Sequence, residues 1–174
     1  MPTKMQNSAK FSILITTKNR LPDLEYTLQR IQHLIEREDV VCVICDDGSQ
    51  DGTSDYIRQH YPNIILHTNV KSRGYLYCRN KMLNETKADF AISLDDDAHF
   101  VTDQPIESIA DFFDKNPEKD ASISSCNWHR KLYHSPEILI RQILLGRKEV
   151  LLFLPLVWLV ARSQLLPNLQ DHIG

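Results

Sequence analysis

The sequence predicts an α/β fold, a mostly parallel sheet flanked by helices, and three observations carry that expectation. Short apolar runs of strand character alternate with stretches whose apolar residues recur every three or four positions. Each of the first four runs stops at polar or acidic residues. The segments between runs are long enough for the crossovers that parallel pairing requires. At 42% apolar and 25% charged residues, the 174-residue chain has the balance of an ordinary globular protein, one domain over 1–174 with a core that needs no staples.

Phe11 to Ile15 reads as a buried strand ending at Thr16-Thr-Lys-Asn-Arg20. From Leu21 a helix begins, with Leu24, Leu28, Ile31, Leu34 and Ile35 as the stripe laid on the sheet, and it ends near Asp39. Val40 to Cys45 is a second strand, followed by Asp46-Asp-Gly-Ser-Gln-Asp-Gly52. Thr53 to His60 is a short helix with Tyr56 and Ile57 inward, closed by Pro62. Ile64 to His67 is a third strand running into Thr68-Asn-Val-Lys-Ser-Arg-Gly74, and Tyr75 to Glu85 is a helix with Leu76, Met82 and Leu83 inward. Phe90 to Leu94 is the fourth strand, and Gln104 to Asn116 a helix with Ile106, Ile109, Ala110 and Phe113 inward. Beyond Pro117, Ala121 to Cys126 and Leu156 to Val160 read as strands, Glu137 to Leu145 as a helix, and a further helical turn starts at Ser163.

Composition narrows the function classes. A net charge of −3 and the lack of basic residues interleaved with aromatics disfavour a nucleic-acid partner. Cys42, Cys45, Cys78 and Cys126 have no framework spacing, so reduced thiols and a cytoplasmic location are expected. Cys42 and Cys45 have the formal spacing of a zinc pair, but residues three apart on a strand point to opposite faces. The run from Val150 to Ala161 contains Pro155 and is shorter than the roughly twenty residues a bilayer crossing needs. Peripheral contact with the inner face of a membrane stays open.

Chemistry concentrates at the strand ends, where open parallel sheets bind ligands. Thr16 and Thr17, Asp46 and Asp47, Asn69, and the triplet Asp95, Asp96 and Asp97 fall on one edge. Three adjacent carboxylates raise one another's pKa unless a cation intervenes, and hard oxygen ligands suit Mg²⁺ or Mn²⁺; a solvated acidic turn is the alternative. No glycine-rich fingerprint follows the first strand and no Gly-Lys-Ser or Gly-Lys-Thr occurs, so glycine amides do not cradle phosphate here. A divalent ion on the triplet, with Arg73 and Arg79 as planar cationic donors, points to a nucleotide diphosphate.

Four motifs in order, Ile13-Leu-Ile-Thr-Thr-Lys-Asn-Arg20, Val43-Ile-Cys-Asp-Asp-Gly-Ser-Gln-Asp-Gly52, Gly74 before Cys78-Arg-Asn80, and Ile92-Ser-Leu-Asp-Asp-Asp-Ala98, resemble the family 2 glycosyltransferases of the GT-A type. The resemblance covers about residues 11 to 166. It implies a Rossmann-like GT-A fold with a donor-binding half over 10–100 and a partial acceptor half over 101–174. It implies Thr16 at the nucleoside, Asp47 at the base edge, Arg79 at the base or diphosphate, Asp96 near the ribose, and Asp95 with Asp97 as the Asp-x-Asp pair on Mn²⁺ or Mg²⁺. The implied activity is a metal-dependent, inverting transfer of sugar to a hydroxyl of a glycan or lipid-linked glycan, as in polysaccharide biosynthesis. The alternative is a truncated or non-catalytic sugar-nucleotide-binding module.

The family's catalytic base ordinarily follows a segment like Val157-Trp-Leu-Val-Ala-Arg-Ser-Gln-Leu-Leu166 and a glycine, so it is expected beyond Gly174, and Asp171 is not assigned that role. The chain is accordingly expected to bind donor yet transfer poorly. Trp128, His129, Arg130 and His134 lie in the loop expected to select sugar and acceptor, with no pattern that decodes either.

Overall fold

The computed structural model describes residues 9–118, 121–124, 126–128 and 158–162. In chain order the elements are β1 (Phe11–Thr17), α1 (Leu21–Ile35), β2 (Val40–Asp46), α2 (Thr53–His60), β3 (Ile65–Thr68), α3 (Tyr75–Glu85), β4 (Phe90–Asp95), β5 (Ala98–Phe100), α4 (Pro105–Lys115), β6 (Ala121–Ser124), β7 (Cys126–Trp128) and β8 (Trp158–Arg162). The expected helices over 137–145 and from Ser163 lie outside the described residues.

β1 is the axis of the sheet. It pairs in parallel with β2 on one side and β4 on the other, and β2 pairs in parallel with β3. The main sheet runs β3-β2-β1-β4-β8-β6, with β8 antiparallel to both β4 and β6. Four parallel strands flanked by helices thus form the expected core of the fold. β5 and β7 pair antiparallel in a separate two-stranded ribbon.

The alternation of each strand divides the apolar residues between two layers. Ile13 and Ile15 of β1, Cys42 and Ile44 of β2, and Ile92 and Leu94 of β4 meet Leu24, Leu28, Ile31 and Leu34 of α1, Ile57 of α2, and Ile106, Ile109 and Phe113 of α4. Leu14, Val43, Cys45 and Ala91 face the other way, against Cys78 and Met82 of α3. Cys42 and Cys45 therefore lie in different layers, as strand geometry requires of residues three apart, and Cys42, Cys45 and Cys78 are buried free thiols. Phe90 stacks on Phe11 at 5.3 Å and meets Phe113 at 5.0 Å, closing the layer at the amino end of the central strands.

Several boundaries differ from expectation. α1 stops at Ile35 rather than near Asp39, and in the turn that follows Arg37 clamps Asp39 at 2.8 and 2.9 Å. Leu76, expected inward on α3, is 54% exposed, whereas Met82 is buried as expected and Cys78 joins it at the contact. Four residues separate those two, one helical repeat, and Leu76 falls off that line. Tyr56 is only half-buried. β5 was not expected, since the acidic triplet reads as the end of a strand when in fact it is the turn that re-enters one. The single strand expected over Ala121 to Cys126 is two, β6 and β7, in different sheets. Among the described residues no helix is long and apolar enough to cross a membrane.

Leu28 is fully buried in the α1 layer while Leu76 is exposed. Leu28→Ala should lower unfolding free energy by about 2–5 kcal/mol, and Leu76→Ala by no more than about 0.5 kcal/mol. Urea titrations at constant m-value check both, and a large loss from Leu76→Ala would reverse the assignment of the α3 face.

Candidate functional site

The strand order reverses at β1: the chain builds outward through β2 and β3, then returns to place β4 on the opposite flank. In open α/β sheets the crevice beyond the carboxyl ends of the strands at such a reversal receives ligands. Register brings Thr16 beside Asp95 across that switch point, while Thr17 lies beside Asp46 on the other flank. The Thr16 hydroxyl is buried without a hydrogen-bond partner.

The loops over this edge are tied to one another rather than left to solvent. Asn19, at φ +51°, donates its backbone N–H to Ser49 Oγ at 2.8 Å and accepts from Gln50 N–H at 2.7 Å. A short polar side chain tolerates this left-handed conformation. α1 lacks a capping side chain of its own, and Asp51 supplies one from the neighbouring loop, accepting from Leu21 N–H at 3.0 Å and from Thr53 at the start of α2. Asp46 accepts from Ser49 N–H at 2.9 Å and from the Ser54 hydroxyl, so it organises its own loop.

Asp47 is the most completely bonded of these groups. Its Oδ1 accepts from Asn69 Nδ2 at 2.7 Å and Arg73 N–H at 2.8 Å, and its Oδ2 from Ser72 Oγ at 2.6 Å and Gly74 N–H at 2.9 Å. A carboxylate has about four acceptor positions, and here the loop before α3 fills all of them. Burial pushes the Asp47 carboxyl upward, but the donors from Arg73, Ser72, Asn69 and Gly74 prevail and hold it well below the usual carboxylate range. Gly48 is part of the same closure. Its φ is +81°, and a Cβ there would stand 3.2 Å from Ser72 N and 3.3 Å from Asn69 O. In this structure Asp47, expected at a base edge, is the clasp of the 69–74 loop.

The acidic triplet divides by direction. Asp96, expected near a ribose, points inward. It is 6% exposed, Thr17 Oγ1 donates to its Oδ2 at 2.8 Å, and Thr27 Oγ1 donates to its backbone carbonyl at 2.9 Å. Burial pushes the Asp96 carboxyl up to about 6, with the Thr17 hydroxyl and Arg20 opposing it. Asp95 meets Arg79 Nη2 at 3.0 Å, and its carboxyl is also raised by burial despite that arginine. The Arg79 guanidinium lies over the Tyr75 ring at 4.3 Å. Asp97 is held by Arg20 Nη2 at 2.5 Å, while Nη1 of the same guanidinium stands 3.5 Å from Asp96 and its Nε 3.3 Å from Asp23. The cation that three adjacent carboxylates require is thus supplied, in this structure, by two arginines.

Thr16, Arg79, Asp95 and Asp97 are brought together at the β1–β4 edge, whereas Asp47 and Asp96 hold the surrounding loops and turn. Arg73, read from the sequence as a phosphate donor, is exposed and lies over Tyr77 at 3.6 Å. Sequence reasoning passed over Arg20. Its signal was its place in the polar segment ending the first strand, but nothing in the spacing tells that it crosses to the triplet. Among the described residues no three His, Cys, Asp or Glu surround one metal position. Asp95 and Asp97 offer hard oxygen donors, and the orphan Thr16 hydroxyl at the same edge leaves a polar group to be satisfied. The residues present therefore fit a divalent ion.

The sequence profile of glycosyl transferase family 2 matches residues 12–160. No curated protein matches the sequence. Among solved structures, a mannosyltransferase from Pyrobaculum calidifontis, PcManGT, in complex with GDP-Man and Mn²⁺ superposes with TM-score 0.56 at 21% identity over 64% of this chain and 34% of that one. S. aureus TarS 1-349 in complex with UDP-GlcNAc gives TM-score 0.62 at 21% identity, over 91% of this chain and 47% of the other. Its complex with UDP gives 0.63 at 20% identity. The chain thus spans about a third to a half of the structures it resembles, and they share its fold.

Asp47 stabilises the fold only while ionised, because its folded pKa lies below the unfolded value of about 3.9. Its contribution is therefore complete above about pH 5 and is lost as pH falls below about 3.9 toward the folded value. Asp47→Asn should cost about 2 kcal/mol at pH 7 by turning an amide toward Gly74 N–H. The gap between wild type and variant should narrow in urea titrations as pH is lowered from 6 to 3. A gap independent of pH would show that the carboxylate's charge does not hold the loop.

Proposed function

We propose a function on one premise: the chain belongs to glycosyl transferase family 2, whose profile matches residues 12–160. The protein takes a sugar from a nucleotide-diphosphate donor and passes it to a hydroxyl acceptor. One observation carries the reading: Thr16, Asp95, Asp97 and Arg79 converge at the topological switch point, the one edge of a parallel sheet where nucleotide ligands are received. The fold relatives with GDP-Man and Mn²⁺ or with UDP-GlcNAc bound support it.

In this reading Asp97 and Asp95 hold a divalent ion, Mn²⁺ or Mg²⁺, which supplies Lewis-acid stabilisation of the charge that develops on the departing nucleotide diphosphate. Arg79 presents a planar cationic fork beside Asp95, suited to phosphate oxygens, and its stacking on Tyr75 keeps the fork oriented. The Thr16 hydroxyl faces the nucleoside with its hydrogen-bonding capacity unused. Asp47 acts at one remove. Its negative charge sits just before the amino end of α3, where it accepts from the Arg73 and Gly74 N–H groups. Phosphate recognition is assigned to arginine and metal.

Inversion at the sugar requires a base to take the acceptor hydroxyl's proton as the oxygen attacks. Asp47, Asp95, Asp96 and Asp97 are each engaged by loop donors or arginine, and none is assigned that role. The sugar, the nucleotide base and the acceptor depend on segments beyond these strand ends.

Thermal-shift measurements with GDP-mannose, UDP-GlcNAc and UDP, each with and without Mn²⁺, test the reading, since a ligand bound only by the native state raises its stability. At least one donor should raise Tm in an Mn²⁺-dependent way, by an amount corresponding to about 2.7 kcal/mol at a hundredfold excess over Kd. Asp97→Asn should abolish the Mn²⁺-dependent part while the variant stays folded. A variant that kept the full shift would remove Asp97 from the metal site.

A further inference from the structure

The Arg20 guanidinium makes three carboxylate contacts of unequal kind. Its Nε and Nη1 face Asp23 and Asp96 at 3.3 and 3.5 Å, both long, while Nη2 approaches Asp97 at 2.5 Å. All three partners are largely buried, at 12%, 8% and 13% side-chain exposure, while Arg20 itself is 39% exposed, so the guanidinium reaches the cluster from its open side. Breaking only the Asp97 contact would leave the guanidinium neutralised by Asp23 and Asp96. It would also leave Asp97 as an uncompensated carboxylate at 13% exposure, which is what a divalent ion requires of a ligand.

We propose that Arg20 is a built-in counter-cation for Asp97 which a divalent ion displaces, so that guanidinium and metal compete for the same carboxylate. The inference rests on the reading of Asp97 as a metal ligand. It assigns Arg20 as a positioning residue that keeps the triplet charge-balanced before the metal arrives and sets how tightly the metal binds. The apparent affinity of a ligand falls by the fraction of protein in the competent state. With the Arg20 contact closed about nine-tenths of the time, the site would bind metal roughly tenfold more weakly than its carboxylates alone allow. Lysine at this position retains the charge but lacks the fork that reaches three carboxylates at once.

The test uses the full chain and Mn²⁺ alone, with free Mn²⁺ followed by electron paramagnetic resonance. Arg20→Gln should bind Mn²⁺ roughly tenfold more tightly than wild type, Arg20→Lys should fall between them, and Asp97→Asn should not bind. In parallel, guanidinium ¹H–¹⁵N spectra with diamagnetic Mg²⁺ should show the Nη signals of Arg20 resolved without metal and averaged with it. Circular dichroism confirms that each variant is folded. If wild type, Arg20→Gln and Arg20→Lys bind Mn²⁺ equally while Asp97→Asn does not, the competition is overturned and Asp97 stands as a ligand. Arg20→Lys matching wild type while Arg20→Gln binds more tightly would show that charge alone acts, which also overturns it. Absence of Mn²⁺ binding by both wild type and Arg20→Gln would overturn the competition and the metal assignment together.

Discussion

The two parallel pairings of β1 constrain everything that follows at this edge. A strand hydrogen-bonded in parallel to both neighbours must end level with both, so the residues after Ile15, Ile44 and Leu94 emerge together. Parallel strands also need crossovers, which cover both faces with helices and force the strands to be apolar almost throughout. Charged residues are then kept to the strand ends, while the small polar Ser12 and Ser93 are buried inside β1 and β4. The concentration of Thr16, Thr17, Asp46, Asp47 and the acidic triplet along one edge is the consequence of that exclusion.

What the edge does with its charge follows from burial. Asp46, Asp47 and Asp96 are all less than 10% exposed, too buried to be left to water, so each finds donors within the protein. Asp47 uses neutral donors and stays ionised with ease, because hydrogen bonds to the charged form favour it. Asp96 has fewer donors to set against its burial, so its proton is held more firmly. Asp95 and Asp97 turn to arginines that are themselves partly exposed. The edge is therefore graded from carboxylates held by neutral loop donors to carboxylates held by arginines.

Stability and function are consequently separable here in a way the acidic residues alone do not suggest. The clasp at Asp47 spans β2, the 69–74 loop and the start of α3, and Gly48 makes room for it. The loops of β1 and β2 are joined through Asn19, Ser49, Gln50 and Asp51. These ties join the loops along the same edge on which Thr16, Asp95 and Asp97 lie.

The sequence by itself determined the alternation of strands and helices through Leu94, the inward stripe of α1, the division of Cys42 from Cys45, and the edge on which the polar residues gather. All of these follow from local periodicity, since a strand or helix face is set by residues a few positions apart. Only the tertiary structure decided what each acidic residue does. Asp47 and Asp96 read alike in the sequence as donor contacts, yet their partners come from Asn69 to Gly74 in one case and from Thr17, Arg20 and Thr27 in the other. Arg20 and Asp97 are distant in sequence and meet only because β1 and β4 are neighbours. Strand order is set by long-range packing, which no local pattern encodes, and with it go the pairing of charges and the entry of β5 after the acidic turn.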